Sequence, residues 1–332
     1  MAPLGQRHPT GRQEGPTGSS TLACPDGDTG GPHAPAGAVR RPALGDDCWI
    51  LSGPTAAGKS ALAVPLARRL DAEIVSVDSM AVYRGLDIGT AKPTASQREA
   101  VPHHLIDLVD PDATYSLARW LADAAAAVED CRARGRRVLF VGGTPLYLRA
   151  LRDGLDPAPP GDAAFRRRLE EEAAVSGTLP LHARLAALDA RSAARIHPHD
   201  ARRVIRALEV VHAAGQPAAG SWRDPPPPHA TFTHRMMIVD LPRRLLYERI
   251  DRRVEEMFAA GLVAEARAAA AFPGGLGPTA RQAAGYAEAL EVAAGRLDVA
   301  EAVRRTQLRT RQLAKRQLTW LRSFAAAVWI SA

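Results

Sequence analysis

The chain reads as an α/β protein: a parallel sheet flanked by helices and interrupted by a helical insertion. Three observations point there. Short apolar runs alternate with helical periods over residues 46–159. A Gly-rich loop joins the first apolar run to the first helical period. Residues 162–215 carry helical periods with almost no strand signal.

Residues 1–45 hold nine Gly, seven Pro and no aromatic residue. Such a segment cannot bury enough surface to offset its ordering entropy. It reads as a disordered leader, or as the product of a start codon set too far upstream. Order begins near Asp46. Cys48–Ser52 is a short apolar strand, Gly53–Ser60 is the Gly-rich loop, and Leu62, Leu66 and Leu70 then recur at helical spacing. Pro65 falls inside that helix, where it removes a backbone hydrogen bond and should kink it. Glu73–Val77 is a second strand, Leu117–Arg134 an Ala-rich amphipathic helix stopped by Gly135, and Arg137–Val141 a third buried strand ending at Gly142-Gly143-Thr144. The insertion covers residues 160–229, with Pro225–Pro228 breaking the chain near its end. Arg235–Asp240 is a strand again, and helices follow it in the second part of the core, 230–332.

Composition narrows the function. No apolar run approaches the roughly 18 residues of a membrane helix, and no basic stretch followed by an apolar one opens the chain. Cys24, Cys48 and Cys131 are too few and too scattered for a disulfide framework or a four-ligand zinc site. A monomer in the reducing cytoplasm, with no membrane partner, is the expectation. Of the 43 basic residues only Lys59, Lys92 and Lys315 are lysine, an Arg excess that points to a GC-rich genome. The placement of the +7 net charge says more. Residues 301–322 carry seven basic residues against Glu301 alone. A localised surplus is the footprint of a phosphate-bearing partner.

Gly53-Pro54-Thr55-Ala56-Ala57-Gly58-Lys59-Ser60 fits the phosphate-loop pattern GxxxxGK[ST], with a strand before it and a helix after. Its backbone N–H groups can turn inward around a phosphate, and the helix N-terminus adds positive potential. Lys59 supplies a full charge, and the Ser60 hydroxyl can hold Mg²⁺. A chance Gly-rich turn would lack this context. The motif says polyphosphate without saying ATP. Asp78 follows the second strand, and ligands in open parallel sheets bind beyond the carboxyl ends of the strands. Asp78 is therefore a Mg²⁺-holding acid or a general base, against the plainer reading of a turn residue. Gly142-Gly143 allows close backbone approach, and Thr144 can donate to a phosphate oxygen, although a plain strand-to-helix turn would look the same.

At 100° per residue, Arg304, Arg311, Lys315 and Arg322 share a stripe of the last helix, with Arg305, Arg309 and Arg316 on the stripe beside it. With almost no acid between them, their repulsion needs a nearby anion, and RNA is a good one. Arg202, Arg203 and Arg206 form a second cluster. His103, His104, His197 and His199 have no partner at zinc spacing and read as hydrogen-bonding or core residues; Trp320 and Trp329 read as core aromatics.

Taken together, Gly53–Ser60, Val75–Tyr83, Gly85–Pro93 with its DIGTAKP run, His103–Asp107, Val141–Thr144, Arg195–Pro198, Arg203–Glu209, Gly285-Tyr286 and Ala314–Arg322 (AKRQLTWLR) resemble the tRNA dimethylallyltransferases, also called tRNA isopentenyltransferases. The stretches run in family order from residue 48 on. DIGTAKP and AKRQxTWLR are far more specific than the phosphate loop. The resemblance implies a P-loop NTPase-like core. It also implies transfer of a dimethylallyl group from dimethylallyl diphosphate to the exocyclic N6 amine of the adenine just 3′ of the tRNA anticodon. The loop would then hold a prenyl diphosphate rather than ATP, with Mg²⁺. Asp78 would be the base, Lys59 and Thr144 would act on the diphosphate, and the adenine would leave the anticodon-loop stack to enter the core.

Carried along the matching stretches, the tRNA contacts are Asp78, Ser79, Met80 and Ala81 after the second strand, then Arg202, Arg203, Val204, Ile205 and Arg206 in the insertion that would clamp the anticodon stem-loop. Arg281, Gln282, Gly285 and Tyr286 follow. The last set is Lys315, Arg316, Gln317, Leu318, Thr319, Trp320, Leu321 and Arg322, and Arg166 matches a further contact. Ala81 departs from the Gln of many members, and the C-terminal zinc finger of eukaryotic members is absent, which favours a bacterial enzyme. Two other readings stay open. A P-loop small-molecule kinase explains the loop and Asp78 but not the basic helix. A non-catalytic RNA-binding module explains the basic helix but not the loop beside Asp78.

Overall fold

The computed structural model describes residues 42–155, 161–215, 232 and 235–331. The leader up to residue 41 and the Pro225–Pro228 break lie outside the described residues. Six strands form one sheet: β1 (Cys48–Ser52), β2 (Ala72–Ser76), β3 (His103–His104), β4 (Arg137–Val141), β5 (Met236–Asp240) and β6 (Val328–Ser331). Their order is β3-β2-β4-β1-β5-β6, and every neighbouring pair is parallel.

The sheet is apolar on both faces because successive residues of each strand enter opposite cores. Ile50, Val75, Phe140 and Ile238 pack on one side. Their neighbours Leu51, Ile74, Leu139 and Val239 pack on the other. That is why β1, β2 and β4 read as continuous apolar runs. The first side is covered by α3 (Leu117–Ala133), whose Trp120 is fully buried and donates its indole N–H to the Ser76 carbonyl at 3.2 Å. Each large apolar side chain buried this way contributes about 1.5–3 kcal/mol. On the second side lie α1 (Lys59–Leu70) and α9 (Arg243–Ala259). The remaining helices of the first part are α2 (Ala95–Ala100) and α4 (Pro145–Asp153). The last part adds α10 (Leu262–Ala270), α11 (Tyr286–Ala293) and the long α12 (Val299–Leu321).

The inserted segment is wholly helical over its described residues: α5 (Ala163–Ser176), α6 (Leu179–Leu188), α7 (Ala190–Arg195) and α8 (Ala201–Ala214). These helices share a core of their own built on Leu169, Leu181, Leu185, Ile196, Val204 and Leu208.

Three sequence expectations change. Helix α1 meets the sheet through Ala63 and Ala67 rather than through Leu62, which is exposed. Pro65 lies inside α1, as expected, and the helix continues past it to Leu70; Pro65 and Ala61 are both exposed, so solvent can take the freed Ala61 carbonyl. A strand, β6, follows the last helix where only helices were expected, as a short edge strand beside β5. Trp329 on that edge is 37% exposed and Trp320 at the end of α12 is 39% exposed, so neither is a core aromatic.

Candidate active site

The strand register builds the site. Val141 of β4 lies opposite Ser76 of β2 and Leu51 of β1, so the chain leaves all three strands at one level. Three loops therefore meet: Gly53–Ser60, Asp78–Ala81 and Gly142–Thr144. They meet tightly. A Cβ on Gly142 would lie 2.2 Å from the Val77 carbonyl oxygen, and one on Gly143 would lie 2.6 Å from that of Gly53. Only glycine fits at either place.

Gly58 takes the left-handed conformation (φ 101°) and caps α1, turning the loop onto the helix N-terminus. The Lys59 ammonium donates to the carbonyls of Gly53 (2.9 Å) and Pro54 (2.7 Å). Desolvation, and next the neighbouring Arg253, lower its pKa to about 8, while Asp78 pulls the other way. Asp78 forms a turn of its own: Oδ1 accepts from Met80 N (2.7 Å) and Ala81 N (3.3 Å). Oδ2 makes no hydrogen bond among the described residues. Thr144 Oγ accepts from Ser79 N at 3.3 Å, which leaves its own proton to donate.

Two arginines that sequence reasoning passed over join this cluster from α9. Arg253 donates to Thr55 Oγ (3.3 Å) and Arg249 to the Ala57 carbonyl (3.4 Å). Burial lowers the Arg253 pKa, and the charges of Asp78 and Glu256 oppose the shift. Their i, i+4 spacing was a signal that both point one way, but α9 carries so many charges that it reads as an ordinary solvated helix.

The three loops open into a cavity of about 790 Å³, also lined by Gly89–Pro93, Arg253, Arg281–Gly285, Arg309 and Arg316. Ser60 and Asp78 line it too. A hydroxyl and a carboxylate are hard oxygen donors of the kind Mg²⁺ takes, with water and phosphate oxygens filling its other positions.

The structure sorts the residues carried over as tRNA contacts. Arg281, Gln282 and Arg316 are exposed and line the cavity, and Ser79 and Met80 are half-buried there. In the insertion Arg166, Arg202 and Arg203 are exposed. Arg166 is held by a bidentate pair to the buried Glu209 (3.0 and 2.7 Å), Arg206 lies 3.6 Å from the same carboxylate, and Arg203 pairs with Asp200. Val204, Ile205 and Leu321 are buried in cores, while Ala81 and Gly285 are largely buried but line the cavity. Tyr286 is fully buried and donates its hydroxyl to Glu265.

The same Glu265, on α10, accepts from the backbone N–H groups of Asp87 (2.9 Å), Ile88 (2.8 Å) and Gly89 (3.0 Å). Lys92 is buried and bonds the Tyr83 carbonyl, Asp87 and Asp107. DIGTAKP thus shapes one wall of the cavity.

The cations of α12 do not all face one another unpaired, as their spacing in the sequence implied. Acids reach two of its cations from other helices, Arg311 pairing with Asp251 of α9 and Arg309 with Glu288 of α11, while Arg304 and Arg305 share Glu301 of α12 itself. Lys315, Arg316 and Arg322 make no ion pair among the described residues. Arg316 faces the main cavity. Lys315, Thr319 and Arg322 instead line a small cleft of about 50 Å³ with Arg243 and Tyr247.

His104 is not partnerless. It meets Glu73 at 2.7 Å and Cys131 at 3.6 Å, a trio of metal-ligand types. The Arg134 guanidinium already holds Glu73, whose pKa falls to about 2, while burial, then the nearby Glu73 charge, push the Cys131 thiol up to about 12. Glu73 is thus ion-paired to Arg134 with the protonated thiol and His104 hydrogen-bonded to it, and none of the trio lines the cavity.

The family model described as IPP transferase matches residues 81–324, and that described as isopentenyl transferase matches residues 47–107. A tRNA dimethylallyltransferase of Anaeromyxobacter sp. (strain Fw109-5) is 51% identical over 286 residues, covering 85% of this chain and 93% of that protein. One from Rhodopirellula baltica is 48% identical over 294 residues, covering 85% and 87%. The crystal structure of the full-length tRNA isopentenylpyrophosphate transferase from Bacillus halodurans superposes with a TM-score of 0.60 at 36% identity, over 86% of this chain and 89% of that one. A eukaryotic dimethylallyltransferase acting on tRNA gives a TM-score of 0.71 at 26% identity, over 85% and 73%. With likeness running through the sheet, the phosphate loop and the basic helix, the chain belongs to the IPP transferase family.

Proposed function

We propose that the chain transfers a dimethylallyl group from dimethylallyl diphosphate to the exocyclic N6 amine of the adenine just 3′ of the tRNA anticodon. The products are N6-(dimethylallyl)adenosine and diphosphate, and the working form is a cytoplasmic monomer. The observation that carries this reading is the single cavity in which a phosphate loop, a carboxylate with one unengaged oxygen, and the basic face of α12 meet.

The chemistry follows from the residues. The adenine amine is a weak nucleophile because its lone pair is delocalised into the ring. As N6 bonds the allylic carbon and the carbon–oxygen bond to diphosphate breaks, Asp78 Oδ2 takes the N6 proton. The leaving oxygens are met by loop N–H groups other than that of Thr55, by Lys59 once it turns from the loop carbonyls, and by the guanidinium of Arg253. The Thr144 hydroxyl donates to the bridging oxygen or one beside it. Mg²⁺, held by Ser60, would supply further charge neutralisation. Met80, Arg281, Gln282 and Arg316 form the wall through which a flipped-out base would enter.

The deciding experiment incubates the protein with tRNA, dimethylallyl diphosphate and Mg²⁺, digests the tRNA and identifies its nucleosides by mass. Dimethylallylated adenosine at the position 3′ of the anticodon is expected. Unmodified tRNA together with ATP turnover on a small acceptor would put the kinase reading in its place.

The unpaired cations of α12 make a separate expectation. Each phosphate neutralised contributes roughly 0.7–0.9 to the slope of log K against log[salt]. Replacing Lys315 and Arg322 together with Gln should weaken tRNA binding and flatten that slope by about one to two units. Replacing Arg304 and Arg305, already paired with Glu301, should change it little. Equilibrium binding across a salt series compares the two pairs; equal slopes would move the RNA contacts to the Arg202–Arg206 cluster.

A further inference from the structure

We infer that Gln317 is a positioning residue for the transfer, fixing the phosphate loop against the Gly142–Thr144 loop rather than touching tRNA. This rests on the function proposed above. Gln317 sits in the middle of the basic AKRQLTWLR run, yet its side chain turns inward and is buried. Both ends of its amide are used. Oε1 accepts from Thr55 N at 2.8 Å, and Nε2 donates to the Gly143 carbonyl at 2.7 Å.

Those two partners belong to the two loops that must act together. The Gly53–Ser60 loop carries Lys59, and the Gly142–Thr144 loop carries the hydroxyl proposed to meet the leaving oxygen. The loops come from different strands, β1 and β4. Gly142 is still tied to the β1 end, its N–H donating to the Leu51 carbonyl (3.2 Å) and its carbonyl accepting from Ser52 Oγ (2.8 Å), but past Gly142 no direct hydrogen bond joins the two loops among the described residues. Gln317 closes that gap from a third element. The fit is close: a Cβ on Gly143 would lie 2.9 Å from Gln317 Nε2 and 3.5 Å from Lys59 Nζ.

Thr55 is held from both sides, with Gln317 on its N–H and Arg253 on its hydroxyl. Its N–H is therefore spent on the protein and not on a phosphate. An amide suits this position because it offers one acceptor and one donor without a charge. A cation there would lose the Thr55 bond, and a carboxylate would place negative charge beside the leaving diphosphate. A displacement of about 1 Å in a catalytic array can cost on the order of 10²-fold in rate.

Gln317→Met keeps the size and removes both hydrogen bonds. Binding of inorganic pyrophosphate with Mg²⁺, binding of tRNA, and single-turnover rates are measured on the full chain beside wild type. Pyrophosphate affinity should fall at least about fivefold and the transfer rate about 10–100-fold, with tRNA affinity within about twofold and the secondary structure of wild type retained. Gln317→Glu, which keeps the Thr55 bond, covers the case in which the methionine variant does not fold. It too should weaken pyrophosphate and spare tRNA. Weakened tRNA binding with unchanged pyrophosphate binding, in either variant, overturns the assignment and returns Gln317 to the RNA surface. A variant with wild-type rate and affinities also overturns it. Failure of wild type itself to modify tRNA would instead strike the proposed function, so the two failures are told apart.

Discussion

Asp78→Ala should lower kcat by at least about 10²-fold, the low end for loss of a general base, while tRNA affinity and the fold persist. Alanine, however, removes two things at once, because Asp78 Oδ1 also holds the Met80 and Ala81 amides. Asp78→Asn separates them. Its amide oxygen can keep the turn, but it has no carboxylate to take the N6 proton. Single-turnover rates should therefore be low in both variants. An asparagine variant near the wild-type rate would remove Asp78 from the base role and leave it a turn residue.

Lys59→Ala should act on the diphosphate side. In the free protein the ammonium rests on the Gly53 and Pro54 carbonyls, and it must turn from them to meet an anion. It interacts with the diphosphate before reaction and more strongly as charge builds on the leaving group, so KM for dimethylallyl diphosphate should rise and kcat fall, with tRNA affinity little changed. A pH signature accompanies this. With its pKa at about 8, the free Lys59 loses its charge as pH rises through 8. Pyrophosphate affinity should then decline above pH 8 in wild type, with proton uptake on binding, and Lys59→Ala should lack that decline. For stability the sign is opposite. Between about 8 and the ordinary lysine value of 10.5 the unfolded chain binds the extra proton, so the free wild type should gain stability over that window relative to the alanine variant. Calorimetric titration of pyrophosphate from pH 6.5 to 9.5 tests the binding limb, and an unchanged decline in the variant would assign it to another group.

The central strands and the phosphate loop were legible because burial on both faces leaves continuous apolar runs, and because a strand before GxxxxGK[ST] and a helix after it is a local signal. Asp78 and Thr144 were legible for the same reason: each follows its strand directly. What the sequence hid was long-range. β6 is four residues of edge strand with no buried face to imprint a pattern. The acids that neutralise α12 stand 60 and 21 residues away from the arginines they meet. Arg253 gains meaning only when α9 docks beside the phosphate loop. Resemblance also does not say which way side chains face: Gln317, Leu321, Val204 and Ile205 are buried.

The Glu265 clamp bears on how such proteins should be told apart. The stretch that most sharply marks the chain, DIGTAKP, is held in shape by three backbone amides on one carboxylate and a lysine sealed beneath them, and it carries neither the proposed base nor the phosphate-loop lysine. A gene copy released from selection for transfer could lose Asp78 or Lys59 and still keep its cavity wall intact. It would score as a family member while modifying nothing. Among diverged homologues, then, the diagnosis of a working enzyme belongs to a few atoms at the strand ends, and the motif that finds the family is silent about it.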